Sequence, residues 1–332
     1  MKKIWFMTLV IILTFPSISL ADKKDIVDPT VIYTYKKLEE DIRAIQKKYH
    51  KNLEVKVIGK SHFGRKIYAA KLGKGKKSIF LIGSHHGREW LTTTLIMKML
   101  EEYTKSYSKG KDYGEYSTSI LDEVSIWFIP MLNPDGVTIQ QGFIEEFPKY
   151  YQLRLLMINQ FKEDFSRWKA NGKGIDLNRQ YPAGWDQLNE KPAFPSYQFY
   201  KGRKPVQARE VKIMTDFTKE KKPLLAVAYH SSGREIYWEY KNGKHLDRDY
   251  IFAKKTSNLT GYRLAKPSKK ASGGGYTDWF ITNFHRPALT IEICPIVKET
   301  NPPLLTFQEE WSRNKFVGIM LARESKRIIE RK

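Results

Sequence analysis

A single cysteine, Cys294, in 332 residues leaves no disulfide to form within the chain and no thiolate cluster for a structural zinc finger. Acids are scarce beside bases: 36 Asp and Glu face 58 Lys and Arg, a formal charge of +22. Histidine occurs only seven times, so two at comparable structural positions carry information. No internal repeat, low-complexity linker or Pro/Gly-rich hinge interrupts the chain, which argues for one domain. Hydrophobic residues, by contrast, make up 41% and aromatics 13%. That supply builds a substantial core and argues against disorder despite the charge. The basic excess draws the chain toward polyanions, and nucleic acid, acidic lipid and an anionic cell wall all qualify.

The N-terminus narrows that choice. Lys2 and Lys3 precede an apolar run from Ile4 to Leu13, and Ser19-Leu20-Ala21 offers small residues for a cleavage site. The run is too short to span a bilayer comfortably, no second one follows, and no cysteine awaits lipidation. Residues 1–21 are therefore expected to be a signal peptide cleaved after Ala21. The mature chain, residues 22–332, loses two lysines and no acid and keeps a charge of +20. The expectation is a protein secreted from a bacterium, extracellular or wall-associated, without an integral membrane anchor. Export removes nucleic acid as a partner and makes an anionic cell wall the natural one.

Apolar spacing predicts a helix over 34–49, from Leu38, Ile42 and Ile45. Strands follow at 53–58, 67–72, 78–83, 124–130, 224–230 and 288–293. Helices are expected at 92–107, near 150–170, at 205–221 and at 308–331. Continuous apolar strands alternating with helices imply a single α/β domain, with a mixed, mostly parallel central sheet covered by helices on both faces. Functional groups in such sheets collect beyond the carboxyl ends of strands.

Beyond the 78–83 strand stands His85-His86-Gly87-Arg88-Glu89-Trp90. His86 and Glu89 are three residues apart and can turn toward one ion; His85 competes with His86 but lacks that spacing. His230, ending the LLAVAYH strand, is the candidate third ligand. Two His and one Glu, with a position left for water, describe a catalytic zinc site rather than a structural one. Glu292 lies within the apolar strand ALTIEI, where a carboxylate must be used or paired; a buried ion pair with an arginine is the alternative. Cys294 reads as a small packed thiol rather than a nucleophile.

These residues sit in a longer pattern. GSHHGREW is followed by Asn133-Pro134-Asp135-Gly136, by Gly174-Ile175-Asp176-Leu177-Asn178-Arg179, by His230-Ser231, by Ser272-Gly273-Gly274 with Asp278-Trp279, and by Thr290-Ile291-Glu292. In that order the segments resemble the zinc metallocarboxypeptidases, from about Thr34 to the C-terminus. The resemblance implies that His86, Glu89 and His230 hold one Zn²⁺ per chain, which polarises the scissile carbonyl and acidifies its water. It implies that Glu292 is the general base, and that Asn178 and Arg179 grip a free substrate carboxylate, with Arg88 a secondary contact. Where the family carries an Arg after the Trp, Lys169 follows Trp168, so the oxyanion role falls to Lys169 or to Arg167. The family's mobile tyrosine is replaced by Ser268, Lys269 and Lys270; Tyr276 is the candidate substitute.

Trp168–Trp185, GGGYTDWF and EICP are most similar to the bacterial γ-D-glutamyl-meso-diaminopimelate peptidases of peptidoglycan. Hydrolysis of that bond in stem peptides is therefore the expected activity, with Thr277 and Asp278 reading the far end of diaminopimelate. A general carboxypeptidase acting on other peptides, or a basic wall-binding protein with a weak active site, are the competing readings.

Overall fold

The computed structural model describes residues 25–189, 192–266 and 273–330. The expected signal peptide, residues 1–21, and Ser268, Lys269, Lys270 and Ser272 lie outside the described residues. Thr34 caps the first helix, α1 (Tyr35–Tyr49), by accepting from the Lys37 amide, and Leu38, Ile42 and Ile45 form its buried stripe. An antiparallel hairpin follows, β1 (Leu53–Lys60) and β2 (Lys66–Leu72). Then come β3 (Lys77–Ile82), α2 (Leu91–Ser108), β4 (Val124–Ile129), α3 (Pro134–Gln140) and α4 (Lys149–Ile158). After a long loop the chain forms α5 (Arg209–Lys221), β5 (Leu225–Ser231), β6 (Glu235–Tyr237), α6 (Leu246–Thr260) and β7 (Arg263–Ala265). It closes with α7 (Tyr276–Phe284), β8 (Ala288–Ile293), α8 (Phe307–Asn314) and α9 (Val317–Glu330).

Among the described residues the strands form one eight-stranded sheet in the order β1-β2-β4-β3-β5-β8-β6-β7. Its centre, β4-β3-β5-β8, is parallel throughout, and antiparallel pairs lie toward the edges. Side-chain alternation divides the core into two layers. Ile79, Leu81, Ile126 and Phe128 pack on the face covered by Leu95 and Met99 of α2 and Ile319 of α9. Phe80, Ile82, Trp127 and Ile129 face the other way, onto Met214 and Phe217 of α5 and Phe280 of α7. Helices on both faces explain why the central strands are apolar without interruption.

Two expected helices differ. The one anticipated near 150–170 stops at Ile158: Gln160 and Phe161 take φ of +58° and +57°, and the Asn159 side chain donates to the carbonyls of Lys162 and Asp164. The remainder is a loop. The C-terminal helix divides at Lys315–Phe316, where the Tyr103 hydroxyl donates to the Lys315 carbonyl and Phe316 packs on Tyr113. Residues 134–140, 235–237, 246–260, 263–265 and 276–284, unassigned from periodicity, form α3, β6, α6, β7 and α7.

Candidate metal centre and substrate pocket

Beyond β3 the chain tightens into a 3₁₀ turn, Gly87–Glu89, with His86 as its first flanking residue. The Gly87 amide donates to the Lys169 carbonyl, and a Cβ on Gly87 would lie 2.4 Å from the Gly136 carbonyl oxygen. Only glycine lets this turn press so closely on the start of α3. Asn133 fastens the same junction: its amide nitrogen donates to the carbonyls of His85 and Ala170, and its oxygen accepts from Gly136 N–H. The Asn-Pro-Asp-Gly segment is thus the clamp between the metal turn and the 168–171 loop.

This clamp, with the adjacent end of β5, brings His86, Glu89 and His230 together, all buried. His86 Nδ1 lies 2.8 Å from Glu89 Oε1, and His230 Nδ1 lies 2.9 Å from Glu89 Oε2 and 3.1 Å from His86 Nδ1. Burial opposes the charge of Glu89, yet His86 and His230 beside it bring its carboxyl well below the usual range. Burial also lowers the proton affinity of His230, against the pull of Glu89, which favours the neutral imidazole that can ligate a metal. Two imidazole nitrogens and a carboxylate converging on one point form a cation hole, and the donor set fits zinc. His85 stands apart: it stacks on His230 at 5.3 Å, and its Nε2 lies 3.3 Å from the Tyr181 hydroxyl.

Asp176, to which sequence reading assigned no role, supports this group. It is fully buried, with Oδ1 3.1 Å from His86 Nε2 and accepting the Asn178 amide at 3.0 Å. Burial again works against its charge, while Lys169 and His86 hold its carboxyl well below the ordinary range. One carboxylate therefore orients a candidate ligand and the Asn178-Arg179 turn together. It was visible beforehand only as a member of the GIDLNR motif.

A cavity of about 160 Å³ opens beside the triad, lined by His86, Lys169, Asn178, Arg179, Thr277, Asp278 and Glu292. Glu292 is paired in register with His230 across β5 and β8 and with Glu235 on β6. Burial, then the charges of Glu89 and Glu235, push its carboxyl well up against the opposing pull of Lys169 and Arg179. Lys169 Nζ lies 3.8 Å from Asp176 Oδ2. Arg179 Nη1 donates to the Asn178 carbonyl, and Asn178 Oδ1 accepts from the Tyr276 amide. Gly274, at φ +69°, lets the 273–275 turn pass against Arg179, where a Cβ would sit 3.1 Å from its Cα. Asp278 Oδ2 accepts from Gly273 N–H, and Thr277 Oγ1 is 2.8 Å from Thr290 Oγ1. Burial raises the Asp278 carboxyl above its ordinary range.

Three expected contributors do not line this cavity. Arg167 lies 3.7 Å over the Tyr197 ring and donates to the Asn159 carbonyl and Gln160 side chain, away from the triad. Of the two oxyanion candidates, Lys169 alone lines the cavity. Arg88 donates to the Arg167 carbonyl and Gln198 Oε1 instead. Tyr276 cannot take the place of the mobile tyrosine: its ring is fully buried in the α5–α7 layer, with its hydroxyl 3.2 Å from Thr218 Oγ1. The pocket's tyrosines are Tyr237 and Tyr240, from the short β6 segment and the turn after it, which no periodicity marked. Cys294 is a buried thiol, pushed up to about 12 by burial.

Residues 38–316 match the family described as zinc carboxypeptidase. The chain is 32% identical over 296 residues to gamma-D-glutamyl-L-diamino acid endopeptidase 1 of Lysinibacillus sphaericus, spanning 87% of this chain and 72% of that protein. It is 30% identical over 279 residues to the uncharacterized protein YqgT of Bacillus subtilis strain 168, spanning 81% and 72%. Among solved structures it is similar to bovine thrombin-activatable fibrinolysis inhibitor, with a TM-score of 0.71 at 18% identity over 92% of this chain and 99% of that one. Carboxypeptidase A from Helicoverpa armigera gives 0.68 at 16% identity, over 92% and 76%. The two structures share the fold. The family match over most of the length, together with the His-Glu-His group that fits the metal, makes this chain a zinc-dependent metallopeptidase of the zinc carboxypeptidase family.

Proposed function

We propose that the chain hydrolyses the γ-D-glutamyl-meso-diaminopimelate bond of peptidoglycan stem peptides outside the cell. The observation that carries this reading is the make-up of the pocket: its lining holds a carboxylate, Asp278, together with Asn178 and Arg179. A released residue with a free carboxylate and a distant ammonium meets both charges; an aliphatic or aromatic one would offer Asp278 no cationic partner. The named activity of the Lysinibacillus relative supports the same substrate class.

The roles follow from placement. His86, Glu89 and His230 hold the zinc, with Asp176 fixing the orientation of His86. When bound, zinc supplies the Lewis acidity that polarises the scissile carbonyl. Arg179 and Asn178 take the terminal carboxylate, Arg179 through its planar fork. Lys169 faces the oxygen on which negative charge develops. Glu292, as the ionised carboxylate, takes a proton from the attacking water and delivers it to the departing nitrogen. Thr277 and Asp278 read the far end of diaminopimelate. Residues 1–21 direct export, and the remaining charge of +20 draws the enzyme to the anionic wall. Among the described residues no helix is long and apolar enough to cross a membrane.

The test is hydrolysis of an L-Ala-γ-D-Glu-meso-diaminopimelate tripeptide beside a hippuryl-type substrate, with products identified by mass spectrometry. Preference for the hippuryl substrate would make the enzyme a general carboxypeptidase. Zinc binding without turnover of either would leave a wall-binding protein. Glu292→Gln is expected to lower kcat on the tripeptide by about 10²- to 10⁴-fold while zinc content stays at one per chain; an active Gln variant removes Glu292 from this role.

A further inference from the structure

The 169–179 loop has two sides. Lys169, Asn178 and Arg179 face the peptidase pocket, whereas Asn171, Lys173 and Ile175 line a separate groove of about 580 Å³. Its other walls come from Arg154 on α4, from Arg203, from Arg209 at the start of α5, and from exposed Phe194. Among the described residues none of the four cations is in an ion pair with a carboxylate. Arg154 and Lys173 instead lie over the same Tyr151 ring, at 5.7 and 4.8 Å. The acid in the groove wall, Glu210, is fully buried, with one oxygen accepting from Asn171 and the other from the His62 amide. Burial, then the charge of Asp135, raises it to about 7, so near neutral pH it is only partly ionised.

The cations feel one another. Burial and then Arg154 lower the proton affinity of Lys173, while burial, Lys173 and Arg209 together lower that of His62 at the groove's edge, against Asp135. Cations gathered along one groove and outside any ion pair among the described residues are poised for an anion from solution. Arginine forks suit phosphate and carboxylate alike. An anion shared by several cations along one groove, however, must accept donors from several directions. The tetrahedral oxygens of phosphate do this; a planar carboxylate presents its lone pairs in one plane.

We propose that this groove is a second binding site, for a linear polymer bearing repeated phosphates, distinct from the peptidase pocket. The polymer would lie along Arg154, Lys173, Arg203 and Arg209 and hold the enzyme beside its substrate through the loop shared by the two sites. The proposal is independent of which peptide bond is cut, since binding is read directly.

The experiment titrates the zinc-loaded mature chain with linear inorganic polyphosphate by calorimetry at fixed ionic strength. Arg203→Gln/Arg209→Gln, two exposed residues without ion pairs, is compared with Lys47→Gln/Lys48→Gln, which removes the same charge from the exposed end of α1. The groove variant is expected to bind about tenfold more weakly, with a shallower dependence of affinity on salt, and the α1 variant to change by less than about twofold. Circular dichroism and thermal unfolding check that both variants fold. Equal weakening in both variants would reduce the effect to net charge and overturn the site, as would no weakening in either. Poly-L-glutamate of matched charge binding as tightly as polyphosphate would overturn the phosphate assignment.

Discussion

Replacing Asp176 separates two jobs that one carboxylate performs. Its Oδ1 lies 3.1 Å from His86 Nε2 and also accepts the Asn178 amide at 3.0 Å, in full burial. In Asp176→Asn the amide oxygen can still accept both hydrogen bonds, while the charge and its pairing with Lys169 are lost. Partners of metal-bound histidines contribute about 10- to 100-fold in affinity. The Asn variant belongs at the lower end, about tenfold or about 1.4 kcal/mol. Asp176→Ala removes the acceptor as well, leaving His86 Nε2 unpaired in a buried site and the 176–179 turn without its cap. About 100-fold, or about 2.8 kcal/mol, is expected there. The kinetics should divide in the same way. With saturating zinc, Ala should raise KM, because Asn178 and Arg179 lose their fixed position, whereas Asn should leave KM nearly unchanged. Zinc affinity measured by competition with a chelating dye, alongside steady-state hydrolysis of the tripeptide, tests both parts. An Ala variant that binds zinc like the wild type would refute the supporting role. So would an Asn variant as impaired as Ala, because the charge would then be the entire effect.

Lys169→Met should lower kcat by about 10²- to 10³-fold with little change in KM, as expected for a group that meets charge only in the transition state, whereas Arg167→Met should stay within a few-fold; equal losses in steady-state assays would contradict the division drawn between them. Glu210 predicts a pH effect on stability: its carboxyl is raised to about 7 in the folded chain, so the native state binds its proton more tightly than the unfolded chain does. That contribution is fully present below about pH 4.5 and is lost as pH rises toward 7, amounting to about 3 kcal/mol at most. Denaturant titrations from pH 4 to 8 should show the wild type losing stability relative to Glu210→Gln across that window, and parallel curves would refute the assignment.

What could be read along the chain, and what could not, divides by how far each residue's neighbours lie in sequence. The central strands are apolar runs because both their faces are covered, and His86, Glu89, His230 and Glu292 sit at or just beyond strand ends where an α/β sheet gathers its chemistry. Those are local signals. Asp176 meets His86 across 90 positions, and nothing in its own surroundings distinguishes it from a turn residue. Tyr237 and Tyr240 reach the pocket from a three-residue strand and the turn after it, too short for any period to register. Tyr276 stands next to the glycine turn that lines the pocket, yet it opens α7. Its side chain is carried into the α5 layer because the Asn178 carboxamide holds its backbone amide and Thr218 meets its hydroxyl. The contrast between Arg167 and Lys169 has the same origin. The amides of Lys169 and Ala170 both donate to the Tyr197 carbonyl, while the Tyr197 ring takes the Arg167 guanidinium. A segment some thirty residues downstream thus decides which of two neighbouring cations enters the pocket.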